Sequence, residues 1–181
     1  MDNPSVDTAE HPAPREVGGC LLVEIGDEVF GISVASVKEV IELEHVTQVP
    51  MCSKTISGVI NVRGSVVPVI DAAKRLGLAC GSEYDKYSCI VLYDSFDDTT
   101  QEMVTLGVLV KRVRAIEELK LENLADAPYF GAHIPVNFIQ SMARTNNQMF
   151  VVLEMSSLLN VDSINDEIKS NQKSLFRNLL S

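Results

Sequence analysis

Residues 56–76, ISGVINVRGSVVPVIDAAKRL, align without a gap with residues 139–159, IQSMARTNNQMFVVLEMSSLL. In that match Arg63-Gly64 stands opposite Asn146-Asn147, each between two strand-like runs, and Asp71 stands opposite Glu154 ahead of a helical stretch. A second match joins GISVASVKEVIEL (31–43) to GVLVKRVRAIEEL (107–119), setting Gly31 against Gly107, Val34 against Val110, Val37 against Val113 and Leu43 against Leu119. Strand candidates precede both segments, Cys20–Ile25 and Cys89–Tyr93. A period of roughly 75–85 residues is too long for a solenoid, whose units run to about 50. It implies two related lobes, each of short strands and a helical turn.

The local reading fills in those lobes. Cys20–Ile25 and Val29–Ser33 form a hairpin across Gly26-Asp27. Ser33 is placed to cap a short helix over Val34–Leu43, with Val34, Val37 and Ile41 on one face. Val59–Val62 and Ser65–Ile70 are β-branched runs joined at Arg63-Gly64, a second hairpin. Pro68 cannot donate to a ladder, so an edge position or a bulge is expected for it. Asp71 caps Ala72–Leu76, and Gly77 ends that helix. Residues 94–102, DSFDDTTQE, read as a polar, acidic hairpin loop, and residues 123–135 as irregular. Residues 1–18 read as a disordered tail, and residues 162–181 as an amphipathic helix capped by Ser163 with Ile164, Ile168, Leu175, Phe176 and Leu179 on one stripe.

Composition narrows the function. The net charge is −10, with 15 Lys and Arg against 25 Asp and Glu. Nucleic-acid binding needs clustered cations to displace counterions, and anionic membranes attract cations too, so both are disfavoured. No apolar run approaches the roughly 20 residues that cross a bilayer. The four cysteines, Cys20, Cys52, Cys80 and Cys89, form no C-x-x-C pair, and reduced thiols in a cytoplasm are the simplest account of them.

Enzyme templates do not fit. The sequence lacks G-x-S-x-G, G-x-x-x-x-G-K-[ST] and G-x-G-x-x-G. Its three histidines, His11, His45 and His133, stand at no metal-ligand spacing from one another or from a cysteine. The reading is a non-catalytic protein without metal or cofactor.

The stretch I-S-G-V-I-N-V-R-G-S-V-V-P-V-I-D, residues 56–71, resembles the central hairpin of the CheW-like domain family. LLVEIGDEVFGISVASVKEVIE, IVLYD…LGVLVKRV and FVVLEMSSLL support the resemblance by their order, over residues 19–161. It departs where Phe138-Ile139-Gln140 leads to Ser141 in place of Ile-x-Gly, and where Glu154 replaces an aspartate. The resemblance implies a mainly β fold of two SH3-like five-stranded β-barrel lobes sharing a core, with short helices. It implies an adaptor that couples chemoreceptors to a histidine kinase in bacterial chemotaxis, located in the cytoplasm at membrane-associated receptor arrays.

The implied partners are the regulatory domain of a CheA-like kinase and the cytoplasmic tip of methyl-accepting chemoreceptors. The implied binding residues are Val37 and Glu39 in the first helical turn, Gly58 before the second hairpin, and Asn61, Arg63 and Gly64 at its crest. Val37 and nearby isoleucines would line a groove between lobes. Glu39 and Arg63, opposite in charge, are expected to pair and to orient a binding face. Asn61 is expected to bond the turn backbone, and Gly64 to take positive φ. Two other functions stay open at this point: an accessory adaptor in a pathway controlling pili, gliding or development, and a small ligand-binding β-barrel.

Overall fold

The computed structural model describes residues 18–49, 54–78, 83–125, 133–146, 148–166 and 169. The N-terminal tail before Gly18 and the C-terminal stripe at Ile168, Leu175, Phe176 and Leu179 lie outside them. The strands are β1 (Gly19–Ile25), β2 (Glu28–Ser33), β3 (Glu39–Glu42), β4 (Ile56–Val62), β5 (Ser65–Asp71), β6 (Cys89–Asp97), β7 (Glu102–Val110), β8 (Arg112–Glu118), β9 (Leu124–Ala125), β10 (Ile139–Thr145) and β11 (Gln148–Leu153). Two short helices follow the hairpins, α1 (Ala72–Leu76) and α2 (Met155–Leu158).

These strands make two curled sheets, as expected of two barrel lobes. Lobe A has the order β8-β1-β2-β11-β10-β9, six strands where five were expected, the sixth being the two-residue β9. Lobe B has the order β3-β6-β7-β5-β4. The chain trades strands between lobes: β3 leaves the first hairpin to pair with β6, and β8 leaves the β6–β7 hairpin to pair with β1.

The internal repeat holds down to single registers. In lobe A, Leu22 pairs with Gly31 and Ala115, and Gly31 with Val152. In lobe B, the matching Leu92 pairs with Gly107 and Glu39, and Gly107 with Val69. Even the bulges correspond, one between Ile56 and Gly58 and the other between Ile139 and Ser141.

Three apolar clusters explain this arrangement. Ile60, Val67, Val69, Ile90, Leu92 and Leu109 fill the interior of lobe B. Cys20, Leu22, Ala143, Phe150 and Val152 do the same in lobe A. Between the lobes, Val23, Phe30 and Ile32 meet Val91, Val108 and Val110, together with Leu76, Leu158 and Leu159. The β1–β2 hairpin and the Ile90–Leu92 and Leu106–Val110 part of β6–β7 are therefore covered on both faces. That is why LLVEI, IVLY and LGVLV read as nearly unbroken apolar runs. Buried Arg75 on α1 links the two halves: its Nε donates to Leu158 O at 2.9 Å, its Nη2 to Ser163 Oγ at 3.1 Å, and it lies 5.1 Å from the centroid of the Phe138 ring.

Four local expectations are corrected. Val34–Leu43 is not a helix: a single 3₁₀ turn at Val34–Ser36, without a Ser33 side-chain cap, leads into β3. The β-branched Val37, Val40 and Ile41 suit a strand better than a helix, and β6 offers a ladder. Residues 94–102 are mostly strand, with β6 reaching Asp97 and β7 starting at Glu102. The helix over residues 161–166 is capped by Asn160, whose Oδ1 accepts from Ser163 N–H at 2.9 Å, not by Ser163. Pro68 lies in a strand flanked on both sides. Val59 spends both its N–H and its C=O on Thr47, so its cross-strand neighbour Pro68 has no bond to lose toward β4. The parallel ladder to β7 begins only at Val69. The Asp71 cap (Oδ1 from Lys74 N–H, 3.1 Å) and the left-handed Gly77 are as expected. Cys20 and Cys89 are free thiols, and burial pushes Cys20 up to about 11.

The Thr47–Val59 bridge joins the segment after β3 to β4 and closes lobe B, and it needs Gly58. Gly58 has φ +147, and a Cβ there would stand 2.2 Å from the Thr47 carbonyl oxygen. Gly64 has φ +86 but open space around it. Gly58→Ala is expected to cost about 3 kcal/mol in urea denaturation, and Gly64→Ala about 1 kcal/mol.

Where the chain passes from β7 to β8 through Lys111, buried Glu24 holds the crossing. Arg114 Nε and Nη2 both donate to Glu24 Oε2, and Lys111 Nζ lies 3.3 Å from Oε1. Burial acts to raise the Glu24 carboxyl, but hydrogen bonds from Arg114 and Lys111, with their charges, outweigh it and hold the group below its usual 4.5. With a folded value below the unfolded one, Glu24 stabilises the fold fully above about pH 5 and loses that contribution as pH falls through the folded value. Chemical denaturation between pH 6 and 3 should therefore show a shallower acid loss in Glu24→Gln than in the wild type, from a lower starting stability.

Candidate functional site

The crest of the β4–β5 hairpin is a two-residue turn. Arg63 at φ 49 and Gly64 at φ 86 give both central residues positive φ, as a hairpin that follows the strand twist requires. Gly64 takes that conformation freely, whereas a side chain with a Cβ is disfavoured there. Two contacts hold the arginine in it. Asn61 Oδ1 accepts from Gly64 N–H at 2.9 Å and braces the turn. Arg63 then reaches across the open seam of lobe B to Glu39 on β3, with Nη1 donating to Oε2 at 2.9 Å and Nη2 to Oε1 at 2.7 Å.

This is a forked, two-bond pair between β3 at one end of the sheet and the turn that follows β4 at the other. The Arg63 side chain is 74% exposed and that of Glu39 32%. The expected pairing of Glu39 with Arg63 is thus present, on β3 rather than in a helix. Hydrogen bonding from Arg63 lowers the Glu39 carboxyl, and the charges of Arg63 and Lys38 add to this.

The next residue back, Lys38, points the other way. Its Nζ donates to Asp94 Oδ1 at 3.1 Å and to Thr105 Oγ1 at 3.3 Å, and Thr105 Oγ1 donates to Asp94 Oδ1 at 2.6 Å. The Thr105 hydrogen bond, followed by Lys38, lowers Asp94 against the opposing effect of burial. Residues 38 and 39 therefore tie β3 to the β6–β7 hairpin on one side and to the β4–β5 crest on the other.

An open groove of about 410 Å³ lies at this crossing between lobes, lined by Ala35, Ser36, Val37, Lys38, Tyr93 and Asp94. Val37 stands half-buried in its wall, packed against the shared core. Ile41, the isoleucine expected beside it, packs into the interior of lobe B instead. Burial, and secondarily Glu154, raises the Tyr93 hydroxyl. The structure thus brings Val37, Glu39, Asn61, Arg63 and Gly64 to one end of lobe B, while Gly58 sits at the seam below as a packing requirement. Sequence reasoning does not reach Lys38, Tyr93 and Asp94, because only the β3–β6 register brings them together. The one signal available is a charged Asp94 after the apolar run IVLY.

No group of three or more His, Cys, Asp or Glu side chains that could hold a metal occurs among the described residues, and among them no helix is long and apolar enough to cross a membrane. Residues 19–163 match the model of the CheW-like domain family. The chain belongs to that family. It is 27% identical over 144 residues to the chemotaxis protein CheW of Thermotoga maritima, covering 77% of this chain and 85% of that one. It is 23% identical over 137 residues to that of Treponema pallidum, covering 75% and 78%. A crystal structure of the scaffolding protein TtCheW from Thermoanaerobacter tengcongensis superposes with a TM-score of 0.70 at 23% identity, over 85% of this chain and 93% of the other. That likeness fixes the CheW fold.

The ion pair can be read directly. In an NMR titration of side-chain carboxylates, Glu39 should titrate below the ordinary glutamate range. In Arg63→Ala it should move up toward that range, while Asp94 stays in place. An unmoved Glu39 would remove the pair from solution.

Proposed function

We propose that this protein is a non-catalytic adaptor that joins chemoreceptors to a CheA-type histidine kinase in bacterial chemotaxis. The partner-binding residues are Val37, Glu39, Asn61, Arg63 and Gly64, with Gly58 supporting the seam beneath them. The observation that carries the reading is the forked Glu39–Arg63 pair, held at the rim of lobe B beside the groove that the first crossing makes with β6. Exposed pairs contribute little to stability, so such a pair at this place serves better to orient a binding face. The names of the matched relatives, chemotaxis proteins and a scaffolding protein, support the same assignment.

The parts divide by chemistry. The groove wall of Val37, Ala35 and the Tyr93 ring suits an apolar side chain from a receptor helix. The Arg63 fork and the Asn61-braced turn present polar groups to the protein surface beside it. No step of this function calls for a nucleophile, a metal or a cofactor, and the cytoplasmic face of a receptor array is where such an adaptor would act.

Reconstitution tests the proposal. Purified protein, receptor-bearing membranes and kinase are mixed, and co-sedimentation and kinase autophosphorylation are measured. Arg63→Glu should fold normally by circular dichroism and weaken binding to at least one partner roughly tenfold or more, the scale of charge reversals in interfaces. A folded variant that binds both partners as the wild type does would remove the proposed site.

A further inference from the structure

Of the seven polar or charged side chains buried among the described residues, six are hydrogen-bonded: Glu24, Asp71, Arg75, Ser88, Ser95 and Asp97. The seventh, Ser141, is 4% exposed, and its hydroxyl has no hydrogen-bond partner among the described residues. A buried polar group left alone in this way is rare, because burial removes the water that would otherwise satisfy it.

Ser141 faces the interior of lobe A. It pairs with Val152 and stands two residues from Ala143 on β10, and both of these belong to the interior cluster. On the other side of β11, Ser33 pairs with Cys20 of the same cluster. The half-buried Ser33 hydroxyl does not cap the 3₁₀ turn and has no other partner among the described residues. Both serines line an open cavity of about 380 Å³ at this end of the lobe, with Cys20, Leu119, Leu124 and Val152 as its apolar floor. Small-molecule sites favour the mouths of β-barrels and run from about 300 to 1,000 Å³.

The other lobe shows that the fold does not need these polar groups. Where lobe A pairs Cys20 with Ser33, lobe B pairs Ile90 with Leu109, and both of the latter are buried in its interior. Where lobe A has Ser141, lobe B has Gly58, whose missing Cβ would meet Val46 Cγ1 at 2.9 Å. The depression at the equivalent end of lobe B therefore has Leu109 in its wall in place of Ser33. Cysteine and serine where lobe B has isoleucine and leucine remove apolar volume and add a hydroxyl, so lobe A is open and polar where lobe B is filled.

The lining selects the occupant. Serine hydroxyls are uncharged, and each can donate and accept, as an amide or an alcohol can in return. A charged head would be buried against neutral groups, which is costly. An anion is opposed further by carboxylates beside the mouth: Glu117 pairs with Cys20, and Glu118 Oε1 would stand 3.6 Å from a Cβ on Gly19. We propose that the mouth of lobe A binds a small uncharged molecule with an aliphatic body and an amide or hydroxyl head, the body on Leu119, Leu124 and Val152 and the head on Ser33 and Ser141. Ala35 and Ser36 line both this cavity and the groove on the far side of the crossing, so an occupant touches the segment that leads to Val37. The site stands whether or not the adaptor assignment does.

The test uses the full chain, isotope-labelled, with hexanamide as the probe, titrated to its solubility limit and followed by NMR. Backbone amide shifts should saturate and concentrate at Cys20, Ser33, Leu124 and Ser141. Ser141→Ala should weaken binding about fivefold, the scale of one hydrogen bond between neutral groups. Cys20→Ile/Ser33→Leu writes the lobe B pair into lobe A and should abolish binding without lowering the melting temperature. The exchange suits the fold, since a Cβ on Gly31 would stand 2.6 Å from Cys20 Sγ and one on Gly107 2.7 Å from Ile90 Cγ2. Hexanoate and hexylammonium should both bind more weakly than hexanamide. Absence of saturable shifts overturns the proposal, since Ser141 would then hold water alone. Full binding by the folded double variant overturns it too, as does tighter binding of either ion. Should the double variant not fold, Ser141→Ala decides, and an unchanged affinity there rejects the site.

Discussion

Two hairpins that are apolar on both faces set the terms for the rest of this structure. β1–β2 and β6–β7 each need one cover inside a barrel and another outside it, and neither lobe can supply the second alone. Packing the hairpins back to back meets the need, with Val23, Phe30 and Ile32 against Val91, Val108 and Val110. The chain must then cross between lobes twice, at Val34–Lys38 and at Lys111. Each crossing keeps a backbone bond, Lys38 N–H to Leu92 O and Lys111 N–H to Glu24 O, and side chains reinforce it. Lys38 does so on Asp94, and Arg114 on Glu24, at equivalent places in the repeat. The groove is formed by the first crossing and by Tyr93 and Asp94 of β6, so its position follows from where the chain leaves lobe A.

Much of this was legible in the sequence. The gapless match of 56–76 with 139–159 predicted two lobes, and the structure extends it to the bulges at Gly58 and Ser141 and to the positive φ of Arg63 and Asn146. The turns at Gly26-Asp27 and Arg63-Gly64 and the Asp71–Gly77 caps are fixed by local chemistry, which neighbouring residues display. What sequence could not show is what tertiary pairing decides. The spacing of Val34, Val37 and Ile41 fits a helix face, but β-branched side chains beside an open edge of β6 make a strand. Pro68 looked confined to an edge because its partners were unknown, when Thr47 had already taken the bonds on that side of β4.

The candidate site divides in the same way. Asn61, Arg63 and Gly64 announce a turn, and Glu39 with Arg63 suggests a pair by charge alone. Lys38, Tyr93 and Asp94 carry no such mark, because their meeting depends on the β3–β6 register. Gly58 is the reverse case. It stands in the resembling motif among the residues expected to bind, while the Thr47 carbonyl shows that the seam itself excludes any side chain there. A glycine in a signature can thus answer to the closure of the barrel.

Internal symmetry separates what the fold needs from what it does not. The crossing pins occur in both lobes, as do the bulges, the seam bridges and the core registers, and each contributes to closing a barrel. The Glu39–Arg63 pair has no counterpart: the matching positions hold Ala115 and Asn146, and lobe A closes without them. The extension of the β6–β7 hairpin through Phe96–Met103 and Asp97–Glu102 has none either, since Gly26-Asp27 completes the equivalent hairpin in two residues. A fold that builds one barrel without these features does not require them for the other. Both therefore belong to the surface of lobe B, and they are where two lobes alike in backbone become different.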